Sequence, residues 1–428
     1  MKPLHSILLL LLSLCLLTAR ELPNPLAGIP GVVVGMTDEP DIQYVGSPSI
    51  AILANGTYAA SHDYFGKGGA LRGSTLVFSS GDKGRTWKKI AVIPELCWAS
   101  LFAHRDALYL TGTRKGDGDF VILRSTDGGS NWTSPASAET GLLFEGKFHT
   151  APVPVVEHKG RIWRAAEETV SKKGWPGKFG AWVMSAPADS DLLDAKNWTR
   201  SNAVAFSQKW IKGARPGWLE GNIVVAPDGR LVNIMRTYAL LGKDGDYEYT
   251  GVAAGIPRYE LAAMLDVSDD GTRMSFDADT GFFHFPGSQT KFTIRFDSVS
   301  GRYWSLVNKI TIQHDGRDTK VSPLRQRNVI MLTSSRDLRH WTEHAKVLRW
   351  AEGFGLRDTG RYGFQYVDWL FEGDDIVAVS RTAWGAKSYH DANAMTFHRI
   401  KNFRTLKMAD SAPDSATEIQ LKDEGLKE

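Results

Sequence analysis

The sequence SGDKGRTW at residues 80–87 decides the fold, because it returns as STDGGSNW at residues 125–132. In each copy an Asp and a Gly make a tight turn after an apolar run. The Asp side chain accepts hydrogen bonds from nearby backbone N–H groups, and the Gly adopts a positive φ. The closing Trp is expected to fold back over the turn. Weaker copies lie at residues 191–198, 268–271 and 335–341. We predict that these motifs, which we call Asp boxes, are structural hairpins and not catalytic elements.

A second pattern organises the rest of the chain, since six times an apolar run meets a turn and a second apolar run returns. The turns lie at residues 55–56, 105–106, 159–160, 228–229, 300–301 and 372–373. Six units of roughly 60 residues, most of them ending in an Asp box, indicate a β-propeller. We therefore expect an all-β fold, a single propeller of six four-stranded blades over residues 20–408. Residues 31–35 would close the ring beside residues 395–400, and residues 409–428 would form a polar, poorly ordered tail.

The composition excludes several other classes of protein. The 428 residues are 42% hydrophobic and 23% charged with a formal net charge of +3, which is ordinary for a globular protein and provides no basic tract for nucleic acid. Residues 1–19 join Lys2 to an apolar run too short to span a membrane, which is typical of a secretory signal peptide. We expect a secreted or periplasmic monomer without stable membrane insertion or a lipid anchor at Cys15. Cys97 is then the one cysteine of the mature chain, so no intramolecular disulfide is expected.

Propeller geometry selects one face of the predicted fold as the candidate site. The start of each blade's first strand and the end of its second strand meet on one face, whereas the turn between them lies on the other. Ionisable groups that converge on such a concave mouth often mark functional sites. Counting along the strands brings these residues to that face: His62, Asp63, Trp98, His149, Glu167, Glu220, Asn222, Arg236, Tyr238, Gln365, Tyr366, Asp368 and Arg381. His390 follows a glycine-containing loop that is long enough to fold over the mouth.

The two complete Asp boxes resemble those of the sialidase-type propellers, which bind their acidic sugar through three arginines, the first in an Arg-Ile-Pro. Residues 46–50, GSPSI, lack that arginine. Longer phrases at residues 47–63, 148–152, 160–164, 218–222 and 363–366 resemble the L-rhamnose-α-1,4-D-glucuronate lyases, first classed as glycoside hydrolases, and more distantly the ulvan lyases. Because those lyases are described as seven-bladed, the resemblance leaves a seventh blade open.

The lyase resemblance implies β-elimination at a uronic acid in an acidic oligosaccharide or polysaccharide. An arginine must neutralise the carboxylate, a base must remove the proton at carbon 5, and an acid must protonate the leaving oxygen. Arg236 would neutralise, supported by Arg164 or Arg381; His62 or His149 would be the base, and Tyr238 the acid. The other substrate contacts would be Glu167, Glu220, Asn222, Gln365, Tyr366 and His390. No cofactor or catalytic metal is expected, although a structural Ca²⁺ in the channel stays possible.

Two alternatives remain open at this stage. A sialidase-like glycoside hydrolase would use a carboxylate pair drawn from Asp63, Glu167, Glu220 and Asp368. A carbohydrate-binding propeller would have no catalysis, and changing His62 or His149 would affect binding alone.

Overall fold

The computed structural model describes residues 26–211, 215–240, 260–311, 326–352 and 359–417. The strands of these residues form six antiparallel sheets, the blades of a propeller. The predicted fold class and the count of six blades are thereby confirmed, and no seventh blade is formed by the part of the chain that is described. The predicted signal peptide, with Lys2 and Cys15, lies outside the described residues.

The first three blades follow one another along the chain, each running from an inner to an outer strand. Strand β1 (Val32–Met36) precedes them. Blade 1 contains β2 (Gln43–Val45), β3 (Ser49–Ile52), β4 (Tyr58–Gly66), β5 (Thr75–Ser80) and β6 (Lys88–Ile93). Blade 2 contains β7 (Leu96–His104), β8 (Ala107–Arg114), β9 (Phe120–Ser125) and β10 (Leu142–Phe144). Blade 3 contains β11 (Phe148–His149), β12 (Val156–His158), β13 (Arg161–Thr169), β14 (Phe179–Pro187), β15 (Thr199–Arg200) and β16 (Val204–Ala205).

The last three blades repeat this order. Blade 4 contains β17 (Arg215–Val225), β18 (Leu231–Leu240), β19 (Leu261–Val267), β20 (Met274–Ser275) and β21 (Phe282–His284). Blade 5 contains β22 (Ile294–Asp297), β23 (Arg302–Asn308), β24 (Val329–Ser335) and β25 (Trp341–Arg349). Blade 6 contains β26 (Gly363–Glu372), β27 (Asp375–Ala383) and β28 (Ala394–Ile400). Short 3-10 helices lie at Ala195–Asn197, Thr359–Arg361, Phe403–Thr405 and Met408–Asp410.

Strand β1 completes blade 6 as its outermost strand. It pairs antiparallel with β28, with Val32 opposite Phe397 and Met36 opposite Ala394. The closure expected from the sequence is therefore confirmed. Because one sheet contains both ends of the propeller, blade 6 holds the ring shut.

Hydrogen bonds join each inner strand region to its neighbour. One such bond crosses every junction of the ring: Leu101 to Ser49, Ser100 to Val153, Gly221 to Glu167, Asn222 to Phe292, Asn308 to Phe364, and Ser49 to Asp368. Outside this polar ring, apolar side chains fill the spaces between blades. Seven tryptophans are almost fully buried there: Trp163, Trp182, Trp218, Trp304, Trp350, Trp369 and Trp384. Since each buried apolar side chain contributes about 1.5–3 kcal/mol, this packing supplies the main stabilisation.

The Asp boxes are hairpins, as their sequence predicts. Asp82 accepts hydrogen bonds from the backbone N–H and the hydroxyl of Thr86 at 2.9 and 2.7 Å. These bonds lower the pKa of Asp82 to about 2. The indole N–H of Trp87 donates to the carbonyl of Gly84 at 3.2 Å, which folds the ring over the turn. The carboxylate is used within its own hairpin, which agrees with a structural role.

The start of the polar tail is more ordered than we expected. The backbone N–H groups of Ala412 and Ser415 donate to the carbonyls of Lys346 and Arg349 in β25, at 2.8 and 3.0 Å. The carboxylate of Asp414 accepts from the backbone N–H groups of residues 351 and 352. The polar residues at the start of the tail form hydrogen bonds with the outer strand β25. Their polarity was therefore not sufficient to predict disorder.

Candidate functional site

Three inner strands carry the same distortion at the same depth. In β7, β17 and β26 one extra residue opens a β-bulge, and the residue within it has a left-handed backbone: Trp98 with φ 56°, Glu220 with φ 56° and Tyr366 with φ 54°. A side chain that is not glycine pays about 1–3 kcal/mol for such a conformation, and bulges of this kind are concentrated beside active sites, where they redirect a side chain. Blades 2, 4 and 6 therefore present equivalent residues on one face.

Two of these bulge residues contact each other. The phenolic O–H of Tyr366 donates to Oε1 of Glu220 at 2.7 Å, and Nη1 of Arg236 donates to Oε2 of the same carboxylate at 2.7 Å. Glu220 and Arg236 are each 3% exposed. Burial acts to raise the pKa of Glu220, but Arg236 and the Tyr366 hydroxyl outweigh it and hold that pKa below its usual value. The carboxylate is thus ionised beside a tyrosine whose own pKa is raised by burial and by Glu220.

Two further buried arginines border this pair. The guanidinium of Arg381 lies over the ring of Tyr366, 5.2 Å from its centroid, and Arg327 donates to Oε1 of Gln365 at 3.0 Å. Burial is the main cause that lowers the pKa of Arg327, to about 10, and the neighbouring Arg236 adds to it. We call Glu220, Arg236, Arg327, Tyr366 and Arg381 the mouth cluster. It brings together three buried arginines, one buried carboxylate and one tyrosine.

A histidine–carboxylate pair extends the mouth cluster on one side. Nδ1 of His149 lies 3.0 Å from Oε2 of Glu167, and Oε1 of Glu167 accepts the backbone N–H of Gly221 at 3.3 Å. This carboxylate thus links His149 to the bulge that carries Glu220. The imidazole packs between Trp98 and Phe179, with centroid distances of 4.7 and 4.6 Å. Because Glu167 orients Nδ1, Nε2 is the nitrogen left for a substrate.

Two predicted residues lie at the rim. Tyr238 is half-buried, 5.6 Å from the Arg236 guanidinium, and burial raises its pKa. His390 is largely exposed; its Nδ1 lies 2.8 Å from the Asp391 carboxylate, and its carbonyl accepts a hydrogen bond from Arg381. Both residues thus contact arginines of the mouth cluster.

The structure does not bring His62 to the mouth, which corrects its prediction as a base. Side chains alternate along β4, so Asp63 points toward blade 2 whereas His62 points into the core. The His62 ring is fully buried, stacked on Phe78 at 5.3 Å and edge-on to Tyr64 at 4.8 Å. Burial lowers the pKa of His62 to about 4. It is a neutral core residue.

Arg164 and Asn222 also serve the scaffold and not a substrate. Arg164 is 1% exposed and donates to the carbonyls of residues 111, 151 and 165 and to the hydroxyl of Ser100, so it joins blades 2 and 3. The amide of Asn222 donates to the carbonyls of Glu220 and Phe292 and accepts from Ile294. Its role is to hold the blade 4 bulge. Their prediction as substrate contacts is therefore corrected.

Three other predicted groups are engaged by neighbouring protein groups. Gln365 is fully buried between Arg327 and the carbonyl of Tyr389, and so positions Arg327. Asp63 accepts the backbone N–H groups of residues 47 and 98, and Asp368 accepts from Ser49 and Ile50. Of the four carboxylates predicted for a hydrolytic pair, Glu220 belongs to the mouth cluster, Glu167 binds the backbone of Gly221 beside it, and the charge of Asp63 acts on Arg381.

Arg327 is the member of the mouth cluster that the sequence did not indicate. It precedes the third strand of blade 5, β24, whereas the predicted face is built from first-strand starts and second-strand ends. Trp98 was found at a strand start but carried no chemistry by itself. A β-bulge whose left-handed residue is not glycine has no simple sequence signature. The sequence therefore did not show that Trp98 occupies the same bulge position as Glu220 and Tyr366.

The described residues contain neither a candidate metal cluster nor a candidate membrane-spanning helix. No three His, Cys, Asp or Glu side chains of these residues come together in a way that could hold a metal ion. Among the same residues no helix has the length and apolar character needed to cross a bilayer.

Fold and site together describe a six-bladed Asp-box propeller whose mouth contains three buried arginines. No protein-family model and no curated protein sequence matches the chain. Solved structures do resemble it. An α-L-arabinanase of Penicillium chrysogenum, complexed with arabinobiose, aligns with a TM-score of 0.52 and 12% identity over 88% of this chain and 98% of its own. The α-L-arabinofuranosidase Arb93A of Fusarium graminearum gives 0.51 and 10% over 87% and 97%.

A sialidase of Trypanosoma rangeli, in complex with sialic acid, gives a TM-score of 0.51 and 12% identity over 87% of this chain and 57% of its own. At such identities these likenesses establish the propeller fold alone.

Proposed function

We propose that this protein is a carbohydrate-active enzyme that cleaves the glycosidic bond of an acidic sugar, as a retaining hydrolase with Tyr366 as nucleophile. The observation that carries the proposal is the Tyr366 hydroxyl bonded at 2.7 Å to the ionised, buried Glu220. Tyrosine nucleophiles are an established exception among glycosidases and occur in sialidases. The glycosidases among the similar propellers are consistent with it.

The mouth cluster suits the carboxylate of such a sugar. Arg327 and Arg381 lie beside the Arg236–Glu220 pair, Arg381 over the Tyr366 ring and Arg327 against Gln365, so a carboxylate bound next to Tyr366 would meet their guanidinium groups. Arginine binds a carboxylate through two parallel hydrogen bonds, and a buried site strengthens them.

The chemistry follows from the arrangement. As the Tyr366 oxygen attacks the anomeric carbon, its proton passes to Glu220. The bond to the leaving oxygen breaks, and that oxygen takes a proton from Nε2 of protonated His149. Water then attacks the anomeric carbon of the glycosyl–tyrosine intermediate, and the bond to the Tyr366 oxygen breaks. The water gives a proton to His149, and Glu220 returns a proton to the Tyr366 oxygen. Both inversions together retain the anomeric configuration.

The test is to follow the mature chain with sialyllactose and with glucuronate-capped oligosaccharides by proton NMR. Release of the acidic sugar with retained configuration is expected, and a fluorinated glycosyl fluoride of that sugar should label Tyr366 in a peptide map. Inverted product, or a label elsewhere, contradicts the assignment. No turnover of any acidic glycan would favour the carbohydrate-binding alternative.

A second candidate is β-elimination of a uronate, and the His149–Glu167 pair specifically favours it. An oriented neutral imidazole is a suitable base, Tyr238 beside Arg236 would be the acid, and Arg327 or Arg381 would neutralise the carboxylate. His62 has no part in this version. Elimination creates a carbon–carbon double bond, so a rise in ultraviolet absorbance with a glucuronate-capped substrate would support it, while release of a saturated sugar would exclude it.

A further inference from the structure

A cavity of about 650 Å³ lies between blades 1 and 2, next to the mouth cluster. Residues from the end of β4, the loop before β5, the start of β7 and the loop after β8 line it, among them Phe65, Arg72, Trp98 and Lys115. Phe65 also carries the Arg381 guanidinium, 4.6 Å from its ring centroid. The cavity and the mouth cluster therefore share a wall.

Trp98 has a fixed place between the two. Its backbone N–H donates to Oδ2 of Asp63 at 3.0 Å, and its ring contacts His149. The indole is only partly buried, although most tryptophans of this fold are buried in the core. Trp98 is also the third of the three bulge residues, and the other two form the Tyr366–Glu220 pair. The strained backbone at Trp98 in blade 2 thus holds an aromatic ring toward the site. Packing in the core does not require this left-handed conformation.

We propose that Trp98 and this cavity form a second sugar subsite, which binds the ring linked to the acidic sugar. This inference rests on the proposed function. A sugar's C–H face packs well on an indole, and pockets of this size with a few polar groups are typical of small-ligand sites. Arg72 and Lys115 provide hydrogen-bond donors at the rim, Lys115 within an exposed ion pair with Glu95. The preferred substrate is therefore an oligosaccharide, held on both sides of the cleaved bond.

The experiment measures binding without turnover, in full-length mature protein carrying Tyr366→Phe. Calorimetry compares free glucuronate with a glucuronate-capped trisaccharide, and free sialate with sialyllactose. In the pair that contains the enzyme's own acidic sugar, we expect the longer ligand to bind at least about 10-fold more tightly than the free sugar. Adding Trp98→Ala should remove that advantage, and Trp98→Phe should restore part of it. Far-ultraviolet circular dichroism and the melting temperature identify variants that do not fold, and Trp98→Phe keeps the test valid if Trp98→Ala is one of them.

Two results would overturn the inference, and they are distinguishable. In the first, the longer ligand still binds more tightly by the same factor in Trp98→Ala, or in Trp98→Phe if the alanine variant does not fold. This result excludes the subsite but leaves the proposed function intact. Failure of every acidic sugar to bind the folded Tyr366→Phe protein counts against the proposed function and the subsite together.

Discussion

Tyr366 and Glu220 are 146 residues apart in the chain, yet the hydroxyl of one lies 2.7 Å from the carboxylate of the other. Each is the left-handed residue of a β-bulge, in blades 6 and 4 respectively. Without the bulges, regular alternation would set different side-chain directions at these positions. The contact is therefore a product of two local distortions and of the ring that brings the blades together.

Removing this hydroxyl should stop catalysis without unfolding the protein. We expect Tyr366→Phe to lower kcat on the order of 10³-fold, because the nucleophile is lost, with little change in KM. Tyr303→Phe is the matched control: its hydroxyl bonds to the carbonyl of Val225 near the opposite face, so it should cost about 1 kcal/mol of stability and leave kcat unchanged. Equal activity of both variants would remove Tyr366 from the mechanism.

The Arg236–Glu220 pair should be strongly coupled in stability. Arg236→Met leaves a buried carboxylate without its cation, which typically costs about 3–5 kcal/mol. Burial raises the pKa of Glu220 and Arg236 lowers it, so this pKa should rise when Arg236 is replaced. Because the pKa of Glu220 is lowered in the folded protein, the pair stabilises the fold above the carboxyl's unfolded pKa and loses this effect as the pH falls through the folded value.

Chemical unfolding at neutral pH checks this coupling. Adding Glu220→Gln to Arg236→Met should recover part of the lost stability, since the uncompensated charge is gone. Strictly additive losses in the double-variant cycle would show that the two side chains do not interact.

Substitutions of His149 and His62 should have different effects on kcat. His149→Gln is expected to lower kcat at least about 100-fold, the usual contribution of a general acid or base. His62→Phe should keep kcat within about 3-fold, because an aromatic ring can still pack on Phe78 and Tyr64 in a site that needs no charge. A loss of activity in well-folded His62→Phe, with activity kept in His149→Gln, would reverse the assignment.

His62 should instead affect acid stability. Its pKa is lowered to about 4 in the folded chain, so between pH 6.5 and 4 the unfolded state binds the extra proton. The stability linked to His62 is complete above pH 6.5 and is lost as the pH falls toward 4, by roughly 3 kcal/mol for a shift of this size. Urea unfolding across this range should show a shallower pH dependence in His62→Phe than in the parent. An unchanged slope would contradict a buried neutral histidine.

The first Asp box offers a paired test of blade packing. Gly84 has φ 85°, and a Cβ there would lie 2.3 Å from the Phe397 ring of blade 6, whereas a Cβ on Gly81 meets no atom within 4 Å. Gly84→Ala should lower the melting temperature clearly, because both backbone and packing resist it. Gly81→Ala in the same hairpin should change it by little. Similar melting temperatures for the two variants would argue against this contact between blades.

The sequence was sufficient for the propeller because its signals are local. An Asp box needs its Asp, Gly and Trp within a few residues, and the turn at residues 55–56 needs only its own Asn and Gly. The same locality identified His149, Glu220, Arg236 and Tyr366 as residues near strand ends on one face. Counting positions from a turn was enough to place them, since strands of similar length begin from equivalent turns.

The tertiary structure decided which of those side chains meet. Successive side chains on β4 point to opposite sides, so His62 points into the core and Asp63 toward blade 2. Counting residues from a turn does not fix which of two adjacent side chains faces the mouth. Arg327 reaches the site from the segment just before the third strand of blade 5, and Trp98 takes its place there through a bulge. These outcomes depend on register, on left-handed residues and on contacts between blades far apart in the chain. No short stretch of sequence contains that information, because the energies that set it arise only when the ring is closed.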